Sequence, residues 1–171
     1  MSSVTSQAEA AGFRLRSATP ADVPVILRGI RALAEYERLA HECVATEALL
    51  RETLFGPNPV AEVLLAFDGE TPAGYALWFR TYSTFLARPG LYLEDLFVYP
   101  EFRRRGLGRW LLVHLARIAV ERGYGRMEWM VLDWNENALR FYRSLGAATV
   151  DGWELCRVTG DALPALARSG A

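Results

Sequence analysis

The sequence is poor in the residues that build disulfide frameworks and metal centres. Only two cysteines, Cys43 and Cys156, and two histidines occur among 171 residues, and no Cys-x-x-Cys pair is present. Two isolated thiols exclude a disulfide scaffold, and no histidine pattern beside them suggests a zinc site. We therefore expect reduced cysteines and no metal.

The chain also lacks an excess of charge and a long apolar run. Nineteen Lys and Arg stand against twenty Asp and Glu, a formal net charge of -1, so no overall field attracts nucleic acid or an anionic membrane. Residues 1–12 lack the basic start and apolar stretch of a secretory signal, and no later run reaches the roughly eighteen apolar residues of a membrane span. We predict a cytoplasmic protein with a flexible tail over residues 1–12 and without nucleic-acid or membrane partners.

The composition is that of a globular domain. Hydrophobic residues make up 51% of the chain and charged residues 23%, and this length suffices for one core. The periodicity predicts a mixed α/β order without repeats or a linker, hence a single domain over residues 13–171. Strands are predicted at 13–16, 60–67, 73–82, 91–98, 127–132 and 153–158, and helices at 19–39, from 46, at 106–123, at 135–146 and from 160. The strands that flank the 106–123 helix should be parallel.

The densest positive charge lies at a glycine turn, RRRGLG, between a predicted strand and a predicted helix. A helix N-terminus presents unpartnered N–H groups and the positive end of the helix dipole. Gly106 and Gly108 allow close approach of the backbone, and Arg103 to Arg105 supply donors for phosphate oxygens. We predict a site for a phosphorylated ligand; the alternative is a solvated turn. The run matches neither a Walker loop nor a dinucleotide fingerprint.

Three segments in order resemble the GCN5-related N-acetyltransferases (GNAT): LYLEDLFV at 91–98, the turn RRRGLG and VLDWNENALRFYRSLGA at 131–147. Arg103, Gly106 and Gly108 match the family signature at the turn. TYST at 81–84, YLED at 92–95 and DGW at 151–153 are similar to the diamine acetyltransferases, and more narrowly to the thialysine N-epsilon-acetyltransferase-like branch. The resemblance covers about residues 13–167. It implies the GNAT fold, a central mixed twisted sheet of about six to seven strands flanked by helices.

The resemblance also implies an activity. Relatives transfer acetyl directly from acetyl-CoA to an amine, here the primary amine of a small molecule that is thialysine-like, lysine-like, a diamine or a polyamine, and a homodimer is expected. In relatives the strand before the turn binds the pantetheine arm and the turn holds the pyrophosphate. The coenzyme-binding residues so implied are Leu96, Phe97, Val98, Arg103, Arg104, Arg105, Gly106, Leu107, Gly108, Arg109, Asn135, Ala138 and Tyr142.

An amine substrate needs acidic residues at neutral pH. A lysine-like amine has a pKa of about 10.4, so exposing its lone pair at pH 7 costs on the order of 4 to 5 kcal/mol. We predict Glu94 as the general base, acting directly or through a water. Asp95, expected on the opposite strand face, is a weaker candidate. Tyr142 matches the family tyrosine that protonates the departing thiolate. The substrate-binding residues implied are Glu37, Tyr82, Glu94, Asp95 and Glu128.

One departure bears on the substrate. Diamine enzymes tend to carry an acid and a tryptophan after the Thr-Tyr pair, where this chain has Ser83, Thr84 and Phe85. The missing acid weakens the case for long polyamines and favours shorter substrates with an α-amino-acid end. The alternatives are a peptide or protein N-acetyltransferase, an aminoglycoside-modifying enzyme and a non-catalytic acyl-CoA-binding module. For each candidate acid the alternative interpretation is a solvated or ion-paired surface group, and for Tyr142 it is an aromatic side chain that only packs.

Overall fold

The chain forms two compact units, each with its own elements. The computed structural model describes residues 8–10 and 12–170; the first unit ends at Met130 and the second begins at Val131. The first unit contains β1 (Ala8–Ala10), β2 (Phe13–Ser17), α1 (Val23–Tyr36), α2 (Glu47–Phe55), β3 (Glu62–Asp68), β4 (Thr71–Ser83), β5 (Arg88–Val98), α3 (Leu107–Glu121) and β6 (Met127–Trp129). The second contains α4 (Glu136–Ser144) and α5 (Ala162–Arg168). The single domain expected from the sequence stays a prediction.

One open sheet organises the first unit. Its strands lie in chain order, and every neighbouring pair is antiparallel except β5 and β6, which are parallel as predicted. The crossover helix α3 joins that parallel pair. The five strands β2 to β6 form the body of the sheet, fewer than the six to seven expected, and the three-residue β1 is added at its edge.

Both faces of this sheet are buried, which explains the continuous apolar runs of β3 and β4. One face packs against α1 and α2 through Ile26, Leu65, Tyr75, Leu77 and Phe97, among others. The intervening positions Leu64, Ala66, Ala76 and Trp78 are also buried, and alternation along a strand directs them to the opposite face. The buried helix α3, with Leu107, Leu111 and Leu115, contacts β4 and β5. Full burial of each Leu, Ile or Phe side chain contributes about 1.5 to 3 kcal/mol.

The end of α1 differs from its predicted position by three residues. The helix ends at Tyr36 rather than near Leu39, because Arg38 adopts a left-handed conformation with φ 64°. The chain reversal is closed by a 2.8 Å hydrogen bond from Leu39 N–H to the Ala34 carbonyl. Glu37 therefore occupies the C-terminal cap of α1.

Three other segments correct the sequence analysis. Ala8–Ala10 pairs with β2 as a strand, where a flexible tail was expected; residues 1–7 and 11 of that tail lie outside the described residues. Strand β6 ends at Trp129, three residues short of its predicted end. The predicted last strand, 153–158, is not a strand: its pattern is suitable, but a strand requires a neighbour for its backbone hydrogen bonds. Within the described ranges, no helix has the length and apolarity needed to cross a membrane.

Candidate active site

A β-bulge in β5 sets the geometry of the site. Leu77 of β4 lies opposite Asp95, but the next residue, Trp78, lies opposite Leu93, so Glu94 is an extra residue in β5. A bulge breaks the regular alternation of side chains and re-aims the residues beside it. Glu94 is exposed, whereas Asp95 is half-buried.

The strands β5 and β6 part at the same place. Their pairing covers Leu91–Leu93 and Met127–Trp129, and no other strand among the described residues continues along this edge of β5. The backbone of residues 96–98 therefore has no strand partner there; the Val98 carbonyl instead accepts a 2.9 Å hydrogen bond from Arg103 Nε. Unpaired donors and acceptors on an extended strand suit an amide-bearing ligand.

Asp95 is bound by a buried tyrosine. The Tyr75 hydroxyl donates a 2.8 Å hydrogen bond to Asp95 Oδ2. Burial raises the pKa of Asp95 to about 6, the bond from Tyr75 opposes this rise, and the negative charges of Glu94 and Glu37 add to it. Asp95 is therefore mostly ionised at pH 7 and titrates close to neutrality.

Glu37 completes an acidic cluster with Glu94 and Asp95. Burial raises the pKa of Glu37, and its charge acts on the pKa values of both Asp95 and Tyr75. The three carboxylates come from the end of α1 and from the bulge of β5. Together they form an environment that attracts an ammonium group.

Two predicted substrate-binding residues, Tyr82 and Glu128, do not belong to this acidic cluster. Tyr82 is 63% exposed and pairs with Pro89, five residues along β4 from Leu77, a separation of about 17 Å. The structure therefore does not bring Tyr82 to the acidic cluster. Glu128 lies opposite Tyr92 in the register of β5 and β6, and Arg126 Nε pairs with its carboxylate at 2.7 Å.

The glycine turn has the conformation of an anion site. Gly106 is the N-cap of α3 with φ 82° and no side-chain cap, so the N–H groups of Leu107, Gly108 and Arg109 lack intrahelical partners. Arg104 is also left-handed, with φ 63°. Successive backbone N–H groups in such turns form a concave nest for an anion.

The three arginines of this turn do not have equal freedom. Arg103 bonds the Val98 carbonyl and lies 4.8 Å from the Tyr36 ring centroid. Arg105 pairs with Asp68 at 2.6 Å. Arg104 has no side-chain partner within the described part of the chain. It is therefore the arginine of the three best able to meet a phosphate.

The remaining predicted residues belong to the second unit. Asn135 is the N-cap of α4, and its Oδ1 accepts a 3.2 Å hydrogen bond from Ala138 N–H. Tyr142 is half-buried on α4, with its ring centroid 5.4 Å from that of Phe141. The coenzyme contacts of Asn135 and Ala138 and the acid role of Tyr142 stay predictions.

Sequence reasoning missed Tyr75 and the residue that admits it. A Cβ built on Gly29 of α1 would lie 2.7 Å from Tyr75 Cε1, so the ring packs directly against the backbone of the helix. The signal was present, because a glycine inside a helical apolar stripe costs about 1 kcal/mol relative to alanine and often has a packing reason.

The sheet, the parted strands β5 and β6 and the glycine turn at residues 103–108 occur in a known family of enzymes. Residues 30–147 match the acetyltransferase (GNAT) family. The chain belongs to the GNAT acetyltransferase family. It is 37% identical to L-ornithine N5-acetyltransferase NATA1 of Arabidopsis thaliana, over 90% of this chain and 87% of that protein. It is 38% identical to thialysine N-epsilon-acetyltransferase of Mus musculus, over 92% of this chain and 98% of that protein.

Solved structures agree with this acetyltransferase in fold. An integron cassette protein from the mobile metagenome of V. cholerae superposes with a TM-score of 0.78 at 25% identity, covering 92% of this chain and 99% of that one. An aminoglycoside acetyltransferase from an uncultured soil metagenomic sample has a TM-score of 0.74 at 19% identity, with 88% and 97% covered. The second likeness concerns the fold alone.

The site residues fit the acyl donor of the family, acetyl-CoA. The nest at residues 104–109 presents backbone N–H groups where a pyrophosphate is expected. The unpaired edge of β5 at residues 96–98 leads to that nest and suits the amides of pantetheine. The acidic cluster adjoins the other end of this edge, where an acceptor amine is required.

Proposed function

We propose that this acetyltransferase transfers acetyl from acetyl-CoA directly to the primary amine of a small molecule of the thialysine, lysine or ornithine type, or a short diamine. The carrying observation is the cluster of Glu37, Glu94 and Asp95 beside the unpaired edge of β5. The relatives that act on thialysine and ornithine support this substrate class. We further propose that the enzyme is a cytoplasmic homodimer.

The coenzyme supplies an activated thioester, and the chain supplies its binding groups. Residues 96–98 bond the pantetheine arm through their backbones. The N–H groups of residues 106–109, with the Arg104 and Arg109 side chains, hold the pyrophosphate. Arg103 and Arg105 act mainly by fixing the turn through Val98 and Asp68. We further propose that Asn135 and Ala138 contact the arm.

The acidic cluster binds the amine and removes its proton. Glu94, the exposed residue of the bulge, acts as the general base, directly or through a water. Asp95 and Glu37 hold the ammonium beforehand and concentrate the substrate. Tyr142 donates a proton to the departing thiolate. The ammonium loses two protons in the reaction: Glu94 takes the first before the attack and passes it to solvent, and the second, released from the nitrogen as the tetrahedral adduct collapses, restores the proton that Tyr142 has given to the thiolate.

The loop after β4 favours short substrates. Its residues Thr84 and Phe85 carry no charge, and Phe85 is 95% exposed. Even a polyamine long enough to extend from the acidic cluster to this loop would find no acid there for its distant ammonium. Glu128, at the edge near Tyr92, is already paired with Arg126. We therefore expect a higher kcat/KM for substrates with two nearby charged groups than for spermidine.

A turnover screen with acetyl-CoA tests the proposal. The panel contains thialysine, lysine, ornithine, a short diamine, spermidine and a peptide, and thiol release is measured from pH 6 to 9. We expect the highest kcat/KM with the amino-acid amines and a lower value with spermidine. Tyr142→Phe should lose most of its kcat while coenzyme affinity, measured by calorimetry, is unchanged.

Specific outcomes would contradict parts of the proposal. Turnover of the peptide alone would overturn the substrate class, and coenzyme binding without any turnover would indicate a binding module. Full activity of Tyr142→Phe across the pH range would exclude the acid role. A sedimentation mass of one chain would exclude the homodimer.

A further inference from the structure

Buried packing fixes the Tyr75 ring that makes the hydrogen bond to Asp95. The Tyr75 side chain is 2% exposed, and its ring occupies the space above Gly29 that any larger residue would fill. The ring also lies 6.5 Å from that of Phe97. The packing on α1, β4 and β5 therefore fixes the direction in which the hydroxyl points.

The phenol remains a donor throughout the working range of the enzyme. Burial, followed by the nearby charge of Asp95 and the hydrogen bond to it, raises the pKa of Tyr75 well above its usual value. Its proton is directed to Asp95 Oδ2. Asp95 Oδ1 has no hydrogen-bond partner within the described residues. It is also not one of the fully buried polar atoms without a partner, so a ligand can reach it.

We propose that Tyr75 is a positioning residue of the acetyl-transfer reaction: it holds one oxygen of Asp95 so that the other faces the substrate ammonium. This inference rests on the amine acetylation proposed above. Without the bond, the carboxyl group of Asp95 rotates and becomes protonated more readily. Tyr75 itself need not touch the amine.

The charged and titratable groups around Asp95 decide whether removal of the Tyr75 hydroxyl raises or lowers the pKa of Asp95. Tyr75 faces it from β4, Glu94 from β5 and Glu37 from the end of α1, and both glutamates disfavour the ionised form. The Tyr75 bond is the interaction that lowers the pKa of Asp95. Removing it should therefore raise that pKa, and more of the protein would carry a neutral Asp95 at pH 6.

The first test measures the carboxyl group directly. Protein labelled with ¹³C-aspartate is titrated by NMR in the wild type and in Tyr75→Phe, which keeps the ring and removes only the hydroxyl. We expect the pKa of Asp95 to rise by about one unit, the size of a hydrogen bond to a charged group. An unchanged pKa overturns the proposal, whether or not the enzyme acetylates the expected amines.

The second test separates positioning from a merely structural role. For Tyr75→Phe, a one-unit rise predicts a loss of kcat/KM about fivefold larger at pH 6 than at pH 8, in addition to the pH-independent loss caused by rotation of the carboxyl group. Tyr99→Phe is the control, because it removes a partly buried hydroxyl from the same region without an Asp95 bond. A uniform loss at all pH values, or an equal change in the control, overturns the proposal. Absence of turnover in the wild type would instead overturn the proposed function.

A second variant protects the test against a folding defect. Gly29→Ala keeps both Tyr75 and Asp95 but forces the ring to move. The fall of kcat/KM at low pH should therefore begin at a higher pH than in the wild type, as in Tyr75→Phe. In an Asp95→Asn background, Tyr75→Phe should have no further effect on the pH profile, since coupled residues are not additive. Additive effects in that double variant would contradict the proposal.

Discussion

The guanidinium of Arg105 forms a 2.6 Å ion pair with Asp68 and lies 4.3 Å from the centroid of the Phe13 ring. Phe13 belongs to β2 and Asp68 to β3, so this arginine ties the anion turn to two strands of the sheet. Arg104, its neighbour, has no side-chain partner among the described residues. Adjacent arginines of one turn thus have different contacts.

We predict that Arg104→Ala raises the dissociation constant of coenzyme A about tenfold, the loss of one charge-assisted phosphate contact. Arg105→Ala should lower the free energy of unfolding by about 1 kcal/mol, since its ion pair is partly exposed, with little change in affinity. Calorimetry with coenzyme A and urea unfolding measure the two quantities. The reverse assignment of the two effects would contradict the unequal roles of these arginines.

Gly106 permits a second, matched comparison. Gly106 and Gly123 flank α3 with φ 82° and 69°, and a Cβ on either would meet no heavy atom within 4 Å. Gly106→Ala and Gly123→Ala should therefore cost similar stability, about 1 to 2 kcal/mol of left-handed strain. Only Gly106→Ala should weaken coenzyme binding, because Gly123 lies at the far end of the helix. Equal affinities in the two variants would argue against a pyrophosphate at the turn.

Glu94→Gln should lower kcat by about 10² or more across pH 6 to 9, the usual range for loss of a general base. Coenzyme affinity should be unchanged, because the residue lies in the bulge and not at the turn. Glu52→Gln on the exposed side of α2 serves as the control. A Glu94→Gln enzyme with normal kcat would transfer the base role to another group, and Asp95 would be the first to examine.

Much of the fold follows from local patterns in the sequence. The start of α2 and both ends of α3 depend on neighbours within one or two turns, and they lie within two residues of the predicted positions 46, 106 and 123. The parallel pairing of β5 and β6 follows from the crossover helix. The segment 153–158 shows the limit, because its composition is typical of a strand but pairing depends on a partner elsewhere in the chain.

The site was less predictable because it depends on the register of β4 and β5. The bulge at Glu94 shifts that register by one residue, and no local pattern in YLED specifies it. The Tyr75 bond to Asp95 joins residues twenty positions apart, and it requires a glycine on a third element. The family resemblance indicated Glu37, and the position of YLED before the glycine turn indicated Glu94 and Asp95, but the different environments of these acids arise only from packing.

Asp22 provides a prediction about stability rather than activity. Its carboxylate accepts two 2.7 Å hydrogen bonds from Arg16 and two 2.8 Å bonds from Thr19, one from the N–H and one from the hydroxyl. The Arg16 bonds, with those of Thr19, lower the pKa of Asp22 from 3.8 to about 2 despite its burial. The pair joins β2 to the turn that begins α1.

Asp22→Asn should lower the free energy of unfolding at pH 7 by about 2 kcal/mol, the equivalent of this pKa difference. Because the folded-state pKa is depressed, the contribution is complete above about pH 4 and is lost as the pH falls through about 2. Urea unfolding should therefore show a difference in the free energy of unfolding between Asp22→Asn and the wild type at pH 7, and this difference should be almost gone at pH 2. Glu70→Gln is the control, since Glu70 is 97% exposed and 3.5 Å from Arg14, and it should change stability by less than about 0.5 kcal/mol. A deficit of Asp22→Asn that persists at pH 2 would show that side-chain shape, and not charge, holds β2 against the start of α1.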